Sequence, residues 1–140
     1  MMYLLDTNVV SELRKSDAGT AHPQVKIWSK GLDAGSTFLS VVTVLELEMG
    51  VLLMERRDAR QGAMLRNWME NLVLPEYAGR ILPIDTPVAL RCAALHVPNP
   101  RSYRDSLIAA TALVHGMTLV TRNKADFKPT GVAVVNPWEA

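Results

Sequence analysis

Cysteine is nearly absent: Cys92 stands alone among 140 residues, so no disulfide closes within the chain and the thiol suits a reducing compartment. Its neighbours Ala93, Ala94 and Leu95 make it a core thiol rather than a reactive one. No apolar run approaches the length of a membrane-spanning helix, and no basic leader precedes one. The expectation is a soluble, cytoplasmic protein with no membrane partner. Neither sign of charge dominates, with 15 Lys and Arg against 14 Asp and Glu and a net charge of +1. That balance excludes a global field for nucleic acid, so any such partner must meet a local patch. The three histidines, His22, His96 and His115, have no spacing that suggests shared ligation. A phosphate-cradling loop is missing too: the only lysine followed by Ser or Thr is Lys15, and Val9 and Arg14 occupy the positions that need glycine. A nucleotide-driven motor or kinase is therefore not expected. No internal repeat and no low-complexity tract occurs.

What the chain does have is apolar residues, 49% of the total, enough for one continuous core and one domain over residues 1–140. Tyr3, Leu4 and Leu5 read as a short buried strand that stops at Asp6, Thr7 and Asn8, small polar residues able to cap a helix over Thr7 to about Lys15. After a loop at residues 17–22, Pro23 opens a second helix that Gly31 closes. Thr37 to Ser40 form a second strand. The next helix, about Thr43 to Glu55, is apolar round most of its girth and is expected to be largely buried. Glu46 falls in its first turn, three residues after Thr43, where a capping box and a catalytic role are equally good readings. Glu48 points away and reads as solvated; Gly50, one turn after Glu46, reads as a close-packing point.

A basic helix, about Arg56 to Leu72, carries arginines on a solvated face and Met and Trp positions towards the core. Arg80 to Pro83 form a strand, and Asp85 before Pro87 reads as a structural cap. A loop from His96 to Tyr103 leads to Asp105, followed by a helix from Ser106 to His115 that Gly116 stops. Thr118 to Thr121 and Val132 to Val135 complete the strands.

Strand and helix in alternation imply a mostly parallel sheet with helices on both faces, and ligands in such folds bind at the rim beyond the strands' carboxyl ends. Asp6 and Asp105 can share that rim, with Glu46 leaning over it. Taken alone, Asp6 is better read as an N-cap, and it is the further carboxylates in similar places that turn the reading towards a site. Three carboxylates within about 4 Å repel pairwise by about 4 kcal/mol at an effective dielectric near 20. Either one takes a proton or a divalent cation neutralises the group. Oxygen-only ligands select a hard ion, Mg²⁺ with Mn²⁺ as substitute, and such a site suits attack of an activated water on a phosphodiester. Residues 101–128 carry five cations against two anions. Among them Arg101, Arg104, Arg122 and Lys124 are candidate RNA contacts.

The segments Leu4 to Glu12, Leu39 to Val44 with Glu46 and Gly50-Val51, Asp105 with Ile108 to Ala112, Thr121-Arg122-Asn123, and Asn136-Pro137-Trp138 together resemble the PIN-domain ribonucleases. More narrowly, the chain resembles the VapC toxins of bacterial type II toxin–antitoxin systems, in the FitB-like branch. The resemblance implies a PIN-like three-layer α/β fold of about five strands and a metal-dependent endoribonuclease, a hydrolase of RNA phosphodiesters. It also implies a homodimer and a VapB-type antitoxin that covers the acidic pocket, with operator DNA met only through that antitoxin. Asp6 and Asp105 would be the principal Mg²⁺ ligands, with Glu46 acting through a water on the metal or as general base. A fourth acidic position of some members falls on Asn123, and Asp126 is the candidate to supply that charge. A phosphatase of the haloacid dehalogenase type also uses an Asp after the first strand, but here Asn8 stands where it needs a second Asp. The other alternative is a PIN-fold scaffold that acts mainly as co-repressor in an antitoxin–DNA complex.

Overall fold

A computed structural model describes residues 1–17 and 19–139; Ala18, within the loop expected at 17–22, and Ala140 lie outside the described residues. Its centre is β1 (Tyr3–Leu5), a three-residue strand whose Leu4 and Leu5 are buried on opposite faces. Leu5 packs with Val9, Leu39, Leu47 and Val51 on one side, and Leu4 with Ile108, Ala109, Leu119 and Phe127 on the other. Burial on both faces is what a central parallel strand demands. β1 pairs with β2 (Thr37–Ser40) and β4 (Thr118–Val120), β2 with β3 (Ile81–Leu82), and β4 with β5 (Val134–Val135), every pair parallel. The order is β3-β2-β1-β4-β5. This is the expected three-layer PIN-like fold: five parallel strands between helical layers. The chain grows from β1 towards β3 on one side and returns to β4 on the other. The crevice where that order reverses opens at the carboxyl ends of β1 and β4, the place where such sheets take ligands.

The helices are α1 (Thr7–Asp17), α2 (Pro23–Lys30), α3 (Val41–Arg57), α4 (Ala59–Trp68), α5 (Leu74–Glu76), α6 (Thr86–Leu95), α7 (Tyr103–His115) and α8 (Lys124–Phe127). Asp85 caps α6 through the Val88 N–H, as expected, and Gly116 closes α7 at φ 65°, a conformation that glycine reaches without a Cβ clash. Cys92 is buried. No described helix is long and apolar enough to cross a membrane.

Several expectations need correction. Helix α3 starts at Val41, capped by Ser40, whose hydroxyl accepts the Val42 N–H at 3.0 Å. Thr43 is thus a buried helical residue, no capping box forms, and Glu46 falls in the second turn, its carboxylate released from any capping duty. The helix is not largely buried, because Leu45, Met49 and Leu52 are 58%, 53% and 52% exposed. The basic segment is not one helix from Arg56 to Leu72: Arg56 and Arg57 end α3, and α4 runs only from Ala59 to Trp68. Asp58 breaks it by accepting the N–H groups of Arg60 and Gln61, both at 3.1 Å, and a π-helical turn over Met69–Val73 follows α4. Of its methionines, Met69 is core but Met64 is exposed. Arg66 is no solvated arginine: it grips Glu48 in a fork at 2.7 and 2.9 Å and reaches Glu55 at 3.0 Å. Its hydrogen bond holds the Glu48 carboxyl below the usual range. Gly50 faces open space, whereas a Cβ at Gly62 would lie 2.4 Å from the Glu55 Cα, so the close approach of α3 and α4 is at Gly62. Finally, α7 begins at Tyr103, which puts Arg104 and Asp105 in its first turn.

Candidate active site

The carboxyl end of β1 delivers Asp6 into the crevice between β1 and β4, and its backbone N–H still donates to Val120 at 2.9 Å. The side chain is fully buried, so each oxygen must find donors inside the protein. Oδ1 accepts the Thr7 N–H at 2.7 Å, and Oδ2 accepts the Thr121 hydroxyl at 2.8 Å and, more weakly, the Asn8 amide at 3.4 Å. Asp6 sits at the N-cap position of α1, yet its side chain is turned into the crevice. Thr121 follows β4 directly, so two adjacent strand ends grip one carboxylate.

Glu46 comes in from α3 and is 26% exposed. Its Oε1 accepts the Thr7 hydroxyl at 2.6 Å, and that hydroxyl lies 3.4 Å from the buried Thr43 hydroxyl. Asp105 enters from the first turn of α7 and is 25% exposed. Three elements distant in sequence thus bring Asp6, Glu46 and Asp105 to one centre.

The centre is filled by a cation from the chain itself. Arg104 spreads its guanidinium among the three acids: Nη2 donates to Asp6 Oδ1 at 2.7 Å, Nη1 to Asp105 Oδ1 at 2.5 Å, and Nε to Glu46 Oε2. Each nitrogen serves a different carboxylate. Burial alone would lower the Arg104 pKa, but the hydrogen bond to Glu46 and the charges of Asp6 and Glu46 outweigh it and raise it. Burial raises the Asp105 pKa, and the charges of Asp6 and Asp126 add to that, while Arg104 opposes it. One guanidinium against three acids leaves two negative charges uncompensated.

That charge deficit and an all-oxygen donor set fit a hard divalent ion in kind. The oxygens are spaced around the guanidinium, however, and no three acidic, His or Cys side chains among the described residues converge closely enough to hold an ion while it stays.

The remaining candidates scatter along the same rim. Asp126 is exposed and close enough for Asp105 to feel its charge. Asn123 is exposed, and its N–H donates to the Thr121 hydroxyl at 3.1 Å. Arg122 lies over the Trp138 ring, 5.3 Å from its centroid, and Lys124 is half-exposed, 3.8 Å from Glu139. Arg101 donates to the Leu95 carbonyl at 2.6 Å and so ties the end of α6 to the following loop. Sequence reasoning missed the supporting hydroxyls of Thr7, Thr43 and Thr121. Their signal was position, because Thr121 directly follows β4 and Thr7 comes two residues after the end of β1.

Residues 3–131 match the PIN domain family. The chain is 36% identical to a VapC ribonuclease of Sinorhizobium fredii, with 99% of each chain covered. It is 38% identical to the toxin FitB of Neisseria gonorrhoeae over 98% of this chain and 99% of that protein. The crystal structure of FitAcB from the same organism superposes with a TM-score of 0.89 at 37% identity, covering 99% of this chain and 100% of that one.

Proposed function

The chain belongs to the PIN-domain family, in the toxin–antitoxin branch of the VapC and FitB proteins, and we propose that it is a Mg²⁺- or Mn²⁺-dependent endoribonuclease toxin held in check by a VapB-type antitoxin. The observation that carries this reading is the meeting of Asp6, Glu46 and Asp105 around a single positive charge. Those three residues would hold the metal. Such an ion supplies positive charge to a phosphodiester and makes an attacking water more acidic.

The chain's own residues do the rest. Thr7, Asn8 and Thr121 fix the orientation of Asp6, and the Thr7 hydroxyl pins Glu46 Oε1. With Arg104 turned away, Glu46 Oε2 is free to accept the proton of the attacking water. Arg122 and Lys124 follow β4 at the same edge and would meet flanking RNA phosphates. Operator DNA is a partner only through the antitoxin, and the apolar stripe of α3 suits a second copy of this chain.

The test is cleavage of total cellular RNA by the purified protein, with ends mapped. Cuts should appear with Mg²⁺, vanish with chelator, and fall by at least about a hundredfold in folded Asp6→Asn and Asp105→Asn proteins, given the several kcal/mol that a catalytic ion supplies. Undiminished cleavage in chelator would refute metal dependence. The position of Arg104 favours a second reading, in which the guanidinium never leaves and the protein is a co-repressor scaffold. Absence of any cleavage by folded, metal-loaded protein would support that alternative.

A further inference from the structure

We propose that Arg104 is a resident counter-cation of the acidic site, a built-in competitor that a divalent metal must expel in order to bind. This rests on the metal-dependent reading above and adds to it how the site is regulated. All three guanidinium nitrogens are engaged, each with a different carboxylate. Each contact is made to one of the three acids that would hold a metal, so the two cations compete for the same carboxylates. The fully buried Asp6 explains why a resident cation is kept at all: with neither ion present, its charge would stand in the crevice against two other carboxylates.

The side chain is also built to leave. Arg104 is 33% exposed and lies in the first turn of α7 at the mouth of the crevice, so its path out runs to solvent rather than through packed core. Arginine's long flexible stem lets the head move without moving the helix. Neighbouring cations do not duplicate the arrangement, since Arg101 is tied to a backbone carbonyl and Arg122 to an aromatic ring. Apparent metal affinity is then the intrinsic affinity reduced by the fraction of molecules in which the guanidinium is already out. If that fraction is about one in a hundred, the reduction is about a hundredfold.

The experiment is Mn²⁺ binding by calorimetry and electron paramagnetic resonance, with melting temperatures measured with and without Mg²⁺. Arg104→Gln should bind Mn²⁺ roughly 10- to 100-fold more tightly than the unaltered protein. It should melt lower than the parent in chelator and regain that difference with Mg²⁺. Arg104→Lys, one point charge in place of a three-way fork, should fall between. In the unaltered protein, the Arg104 Nε–H resonance should shift on titration with Mg²⁺ as its bond to Glu46 breaks. Equal or weaker Mn²⁺ binding by Arg104→Gln, with an Nε–H signal indifferent to Mg²⁺, would overturn the competition while leaving metal dependence intact. Failure of Arg104→Gln and the parent alike to bind millimolar Mn²⁺ would overturn both.

Discussion

Asp105 holds a charge that its surroundings resist. Burial, with Asp6 and Asp126 nearby, raises its pKa above the ordinary 3.8 despite the Arg104 fork. In the unfolded chain the proton leaves near the ordinary value; in the folded protein it leaves later. Asp105 therefore costs no stability below the ordinary carboxylate range, and the cost grows as pH rises through the interval up to the folded pKa and stays constant above it. Replacing it with Asn removes the cost. Melting temperatures in chelator should accordingly show Asp105→Asn gaining on the parent as pH climbs from the acidic side of that interval to neutrality, and a gap that narrows instead would contradict the assignment. Asp6 and Asp105 were legible in the sequence, because each sits where a strand or loop gives way to a helix, while Glu46 lies a turn further into α3 than its sequence reading placed it. The place of Arg104 was not: nothing in one sequence says whether a cation beside Asp105 turns outward to solvent or inward across two other elements.

Among the elements, α3 and α4 form a hairpin whose closeness is set by one missing side chain. A Cβ on Gly62 would meet the Glu55 backbone at 2.4 Å, and backbone cannot swing aside as a side-chain tip can. Gly62→Ala should lose about 1–3 kcal/mol to this overpacking, in spite of alanine's better helix propensity. Gly50→Ala, with nothing within 4 Å, should gain up to about 1 kcal/mol. Chemical denaturation of the two variants tests both signs at once. The same pair marks where sequence reading stops: both glycines sit inside helices, and only the partner helix distinguishes them. The strands β1 and β2 were legible residue for residue and β4 to within one, since short apolar runs bounded by polar residues leave little choice, whereas β3 and β5 are only two residues each, half the length expected. The start of α3 was not, because Ser40 and Thr43 are equally good caps by type and the depth of Thr43 in the core decides between them.

For the molecule as a whole, the exposed stripe of α3 departs from a self-sufficient core. Val41, Leu45, Met49 and Leu52 recur at helical spacing on one side, all more than a third exposed. Covering the rest of two such side chains in a dimer is worth about 3 kcal/mol, or roughly a hundredfold in dissociation constant. Sedimentation should show the parent as a dimer and Met49→Glu with Leu52→Glu as a folded monomer; a double variant that still sediments with the parent would remove this face from the assembly.

Because all five strands run the same way, every segment entering a strand lies on the rim opposite Asp6, including the Ala34–Ser36 turn and the Gly116 corner. A peptide handle or fluorescent reporter spliced in there would ride on the blind side of the molecule, able to signal the arrival of an inhibitor or a sister chain while standing a full strand's length from the chemistry it watches.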